Sequence, residues 1–152
     1  MLAGMIKLSR ISDYGIVLMA FLAEQPPGSR HSAREIAEHT QLPLPVVSKI
    51  LKTLTRKGLL HSLRGPHGGY SLARQPDRIN VVDMVTALEG PIGLTECTLH
   101  PGQCMQEASC HVRKPWQQIN HAVRSALARV TLAELASPGA RQKSGSPEAR
   151  HV

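Results

Sequence analysis

The sequence predicts a mainly α fold, a winged helix-turn-helix domain completed by a long C-terminal dimerisation helix. Three observations predict it. Two helical patterns, one from Ser32 to Thr40 and one from Pro45 to a Gly58 stop, are joined by the short turn Gln41-Leu42-Pro43-Leu44. The Gly/Pro tip Gly65-Pro66-His67-Gly68-Gly69 then sits between two short strand-like runs. Late in the chain an apolar stripe returns at Trp116, Ile119, Val123, Leu127 and Val130, at helical spacing and outside a small domain, so it needs a partner.

The first helix is expected over 9–24. Tyr14, Val17, Leu18, Phe21 and Leu22 follow the spacing of one buried face, Ser9 or Ser12 can cap the start, and Pro26-Pro27-Gly28 ends it. Ser32-Ala33-Arg34-Glu35 is a capping box, in which hydroxyl and carboxylate each satisfy a backbone N–H. In the third helix Pro45 lies in the first turn, where a missing N–H costs nothing. Its inner face is Val47, Ile50, Leu51 and Leu54; its outer face is Ser48, Lys49, Lys52, Thr55 and Arg56. Leu59–Arg64 and Tyr70–Arg74 form the hairpin that makes the wing. Asn80 and Asp83 open a fourth helix with Val82, Val85 and Leu88 inward, closed by Gly90-Pro91. Residues 91–112 have little periodicity. A helix returns from Pro115, and Thr131-Leu132-Ala133-Glu134 caps a short last helix over 132–136. Residues 137–152 are Ser, Pro, Gly, Ala and charges without a stripe, read as a disordered tail.

Composition narrows the function. The 152 residues carry 18 Lys and Arg against 11 Asp and Glu, a formal charge of +7 that suits a polyanionic partner. The charge is concentrated: between Glu38 and Asp77 there is no acidic residue, while Lys49, Lys52, Arg56, Lys57, Arg64 and Arg74 all lie there. This basic run coincides with the helix-turn-helix and the wing, so it reads as a surface facing DNA phosphates. Ser48 and Lys49 are placed to reach base edges in the major groove, and Lys52, Thr55 and Arg56 the backbone. Arg64 and His67 lie on the wing, with Arg64 over phosphate or in the minor groove. Aromatics make up only 3% of the chain, which excludes single-strand binding surfaces built from stacked rings. No apolar stretch is long enough to span a bilayer, and Glu24-Gln25-Pro26-Pro27 stands where a signal peptide would need small residues. The expectation is a cytoplasmic protein with no membrane partner. No nucleotide loop or nucleophile–base pair is found, so no enzyme is predicted.

All three cysteines, Cys97, Cys104 and Cys110, fall in one segment with spacing C-x6-C-x5-C, beside His100, His111, Glu96 and Glu107. In a reducing compartment these are free thiols and soft metal ligands. On spacing alone, zinc held with one histidine and an iron–sulfur cluster both fit.

Lys7-Leu8-Ser9-Arg10-Ile11-Ser12-Asp13-Tyr14, the wing Arg64-Gly65-Pro66-His67-Gly68-Gly69-Tyr70 and the three spaced cysteines resemble the Rrf family of winged-helix iron–sulfur regulators. The resemblance spans roughly residues 5–136. The segment Leu88–Cys97 is most similar to the subgroup that regulates Suf cluster-assembly genes. The resemblance implies a homodimer with crossing C-terminal helices, and an iron–sulfur cluster (2Fe–2S preferred over 4Fe–4S) on Cys97, Cys104 and Cys110. It also implies transcriptional control, as a repressor, tied to cluster occupancy. Related sequences place a histidine ligand three positions after the third cysteine; here that position is Arg113, whose guanidinium stays protonated. Other members use a carboxylate from the first helix of the second subunit, which matches Asp13, while His111 and His100 are local rivals.

The chain therefore divides into a DNA-binding domain (1–90), a cluster-binding loop (91–112), a dimerisation segment (113–136) and a tail (137–152). The expected function is an operator-binding regulator that senses iron–sulfur status and controls cluster-assembly genes. The alternative is a zinc-stabilised winged-helix repressor without cluster sensing.

Overall fold

The computed structural model describes residues 8–136. Helix α1 (Arg10–Glu24) starts at Ser9, whose side chain accepts from the Ser12 N–H at 3.2 Å. Its buried face is Ser12, Gly15, Leu18, Met19 and Leu22. That face is rotated from the expected stripe: Val17 points outward and is 41% exposed. The reason lies in helix α4 (Val81–Glu89), which packs on α1. A Cβ at Gly15 would run into the Leu88 side chain, so the face carrying the glycine is the one that lets the two helices close.

Helix α2 (Ala33–Thr40) has the expected capping box, with Glu35 N–H donating to Ser32 Oγ at 3.1 Å and Ser32 N–H to Glu35 Oε2 at 3.2 Å. Helix α3 (Leu44–Arg56) follows after Gln41, which turns the chain at φ +57°. Val47, Ile50, Leu51 and Leu54 are buried as predicted. Gly58, at φ +80°, releases the chain into strand β1 (Leu60–Leu63), paired antiparallel with β2 (Gly69–Leu72) in the register Leu60 to Leu72 and Leu63 to Gly69.

After a 3-10 turn at Pro76–Arg78, Asn80 and Asp83 form the capping box of α4. Its buried residues are Val81, Met84, Val85 and Ala87. Val82, expected inward, is only half-buried. The Val81 N–H bonds to the Val130 carbonyl at 3.0 Å, which fixes Val81 rather than Val82 toward the core. The cysteine segment holds one short helix, α5 (Glu96–Leu99), and α6 (Arg113–Ala128) begins two residues before Pro115. Helix α7 (Leu132–Ala136) has the predicted cap, Glu134 N–H to Thr131 Oγ1 and Thr131 N–H to Glu134 Oε2, each at 3.3 Å. Leu132 is fully buried and its N–H bonds Ile79 O at 2.7 Å, so the chain closes back against α1 and the 3-10 turn. The expected tail at 137–152 lies outside the described residues.

The core is built from Leu18, Met19, Ile36, Ile50, Leu51, Leu54, Ile79, Met84 and Leu132, with no fully buried aromatic among the described residues. It gathers α1, α2, α3, α4 and α7 behind the outer face of α3 and the wing. Helix α6 is the exception: none of its residues is buried. No described helix is long and apolar enough to cross a membrane.

Candidate nucleic-acid interface and cysteine loop

Because the inner face of α3 is anchored by four aliphatic side chains, its outer face is fixed toward solvent. Between that face and the wing lies an open groove of about 650 Å³. It brings together Lys49, Lys52, Thr55 and Arg56 from α3 with Arg64 from the wing, and among the described residues no acidic side chain lines it. Clustered cations with no carboxylate among the described lining residues make a concentrated positive potential, which favours a phosphate backbone. Ser48 is half-buried on α3 and does not line the groove, and His67 stands exposed at the wing tip, also outside it. Arg74 belongs to the same basic run in sequence but is drawn away, 3.7 Å from Asp83 Oδ2 and 3.4 Å from Arg78 O.

Thr53, Ser62, Leu63 and Tyr70, none of them among the expected DNA contacts, also line the groove. Thr53 Oγ1 donates to Lys49 O at 3.0 Å and accepts from Arg56 Nη2 at 3.4 Å, which steadies that guanidinium on the helix surface. Thr55 Oγ1 donates to Leu51 O at 2.8 Å, so its hydroxyl has only acceptor capacity left for a ligand.

The thiols of Cys97, Cys104 and Cys110 are free and half-buried. The Cys97 Sγ lies 3.1 Å from Thr95 Oγ1, a hydroxyl able to donate to a thiolate. Glu107 pins the loop from inside: it pairs with Arg113 at 2.8 Å and accepts the Gly102 N–H at 2.5 Å. Arg113 is thus the clamp that joins the loop to the first turn of α6. A second tie, Leu94 N–H to Asn120 Oδ1 at 3.2 Å, joins the loop to the middle of that helix. Asp13 is exposed in the first turn of α1, and His100 and His111 are exposed on the loop. Among the described residues, no three His, Cys, Asp or Glu side chains come close enough within one chain to share a metal ion. The chemistry of the donor set fits a thiolate-held metal centre, but this conformation of the loop does not gather the three thiols around one point, so holding such a centre requires the loop to draw Cys97, Cys104 and Cys110 together.

Comparison with known proteins gives the lineage. The Rrf2 family, described as iron-dependent transcriptional regulators, matches residues 8–138. The chain belongs to the Rrf2 family. It is 32% identical over 131 residues to the transcriptional regulator CymR of Bacillus subtilis, covering 86% of this chain and 90% of the relative. The solved structure of CymR, described as the global cysteine regulator of B. subtilis, superposes with a TM-score of 0.70 at 31% identity, covering 86% of this chain and 96% of that one. The structure of T. potens IscR superposes with a TM-score of 0.68 at 26% identity, covering 94% and 93%.

As an Rrf2 member the chain is a DNA-binding transcriptional regulator, and its relatives are named as regulators rather than enzymes. The cysteine loop is attached to α6 at Arg113 and Asn120, and α6 packs on α4.

Proposed function

We propose that this Rrf2 regulator acts in the cytoplasm as a homodimer whose affinity for its operator depends on an iron–sulfur cluster, and that it represses cluster-assembly genes of the Suf type. The observation that carries the reading is the cysteine loop: three free, half-buried thiols on one segment, clamped by Glu107–Arg113 to α6. Cys97, Cys104 and Cys110 supply the thiolates, and Asp13 of the second subunit the remaining ligand, with His111 and His100 as the local alternatives. When bound, an iron–sulfur cluster supplies a crosslink among the thiolates that responds to iron and to oxidants. A 2Fe–2S centre is preferred.

Helix α6 supports the dimer. Trp116 is 37% and Ile119 46% exposed on its apolar face. A second copy of the chain covers such a stripe by two-fold pairing, which sets two recognition helices about one DNA turn apart. The loop is tied to α6 at Arg113 and Asn120, and α6 packs on α4 of the DNA-binding core. A change in how the loop is held therefore reaches the separation of the two α3 helices, and through it operator affinity, by linkage. Ser48, Lys49, Lys52, Thr55, Arg56, Arg64 and His67 make the DNA contacts. Domain by domain, 1–90 binds DNA, 91–112 holds the cluster and 113–136 joins the subunits.

Anaerobic purification followed by iron, sulfide and zinc analysis with an absorption spectrum tests the reading. Iron and sulfide in a coloured protein support it; a colourless protein with stoichiometric zinc replaces it with a zinc-stabilised repressor.

A further inference from the structure

The leading end of α3 is chemically unusual for a helix that reads DNA. Its first residues are Leu44 and Pro45, preceded by Pro43 as the N-cap with no side-chain capping bond. Recognition helices place their N-terminal residues against base edges, usually through polar groups. Here Pro43 and Pro45 have no N–H to offer, and Leu44 offers only carbon. Leu42 and Val46 on either side turn in against the core, whereas Leu44 is 37% exposed. Leu44 stands one and two turns before Ser48 and Lys52, at the edge of the outer face, with the buried Leu51 on its inner side, so its exposed part borders the leading end of the row that carries Ser48 and Lys52.

Base edges in the major groove present donors and acceptors at every pair, and a single apolar group, the thymine 5-methyl. A leucine at the leading end cannot satisfy the donors and acceptors, and set against them it would strand them without water. Against a thymine methyl it loses nothing and buries carbon on both sides. We infer that Leu44 is a specificity-determining residue that selects thymine by contact with its 5-methyl group, at one position in each operator half-site. The inference rests on the reading of α3 as the recognition helix.

The test uses the full-length protein, purified anaerobically with the metal it carries, and a duplex enriched by it from a randomised pool. Each thymine is replaced in turn by deoxyuridine, which removes only the methyl group. The expected result is one symmetry-related pair of thymines at which uracil weakens binding by about fourfold per site, the worth of one buried methyl. Leu44→Ala binds the thymine duplex more weakly and no longer distinguishes it from the uracil duplex there. Leu44→Val, still apolar, keeps the distinction and guards against a variant that fails to fold. If Leu44→Ala and wild type give the same thymine-to-uracil profile, Leu44 does not read the methyl, while the DNA-binding reading stands. If no duplex is enriched at all, the recognition-helix reading falls and this inference with it.

Discussion

His31 and Tyr70 exchange two main-chain hydrogen bonds, His31 N–H to Tyr70 O at 3.1 Å and Tyr70 N–H to His31 O at 2.8 Å. This isolated bridge fastens the second strand of the wing to the connection between α1 and α2. The wing is therefore held against the helical core at its inner strand, while its tip stays exposed.

The bridge has a steric requirement at Gly69. Its φ is +139°, and a Cβ there would come within 2.7 Å of the His31 backbone. Gly69→Ala is expected to destabilise the domain by about 1–3 kcal/mol, the usual cost of forcing a side chain into such a conformation. Urea unfolding measures it. A change below a few tenths of a kcal/mol would show that the wing is not held at this point.

Arg64 stands on the exposed wing facing the groove. Arg64→Ala is expected to weaken binding by about 1–3 kcal/mol with relaxed sequence preference if it reads a base edge. If it contacts phosphate alone, the loss is uniform across sequences and the salt slope falls by about one. Unchanged affinity and unchanged salt slope would remove the wing from the interface.

Much of this architecture is legible in the sequence because it is local. The capping pairs Ser32–Glu35, Asn80–Asp83 and Thr131–Glu134 each act across three residues, and all three form. The inner face of α3 follows from its own periodicity. What the sequence hides is non-local. Gly15 selects the buried face of α1 only because Leu88 packs there, and no pattern within α1 announces that neighbour. The His31–Tyr70 bridge has no signature at either end. At the candidate site the cysteines and the basic row were readable as residue types. The Glu107–Arg113 clamp was not, because it depends on how an aperiodic loop folds.

The exposed stripe on α6 predicts the state of association. Wild-type protein is expected to sediment as a dimer at micromolar concentration. Ile119→Asp places a charge on the apolar face and is expected to yield monomer with its secondary structure intact. A monomeric wild type would contradict the paired-helix arrangement.

The fourth ligand can be separated from its rivals by comparing Asp13→Ala, His100→Ala and His111→Ala after anaerobic reconstitution. With Asp13 as the fourth ligand, as proposed, Asp13→Ala is expected to alter the absorption spectrum and shorten the lifetime of the cluster, because the substitution removes that site's one carboxylate bond. An unchanged Asp13→Ala protein together with a histidine variant that loses the cluster would assign that histidine and remove the link between subunits.

Whether a cluster controls DNA binding is read from operator affinity measured on one anaerobic preparation, before and after iron is removed by chelation. Iron and sulfide are assayed on the same samples. Iron and sulfide are expected in the starting protein, with an affinity change of about 5- to 150-fold on their loss, the range of ordinary coupling between two sites. Loss of iron with no change in operator affinity would show that DNA binding does not depend on a cluster.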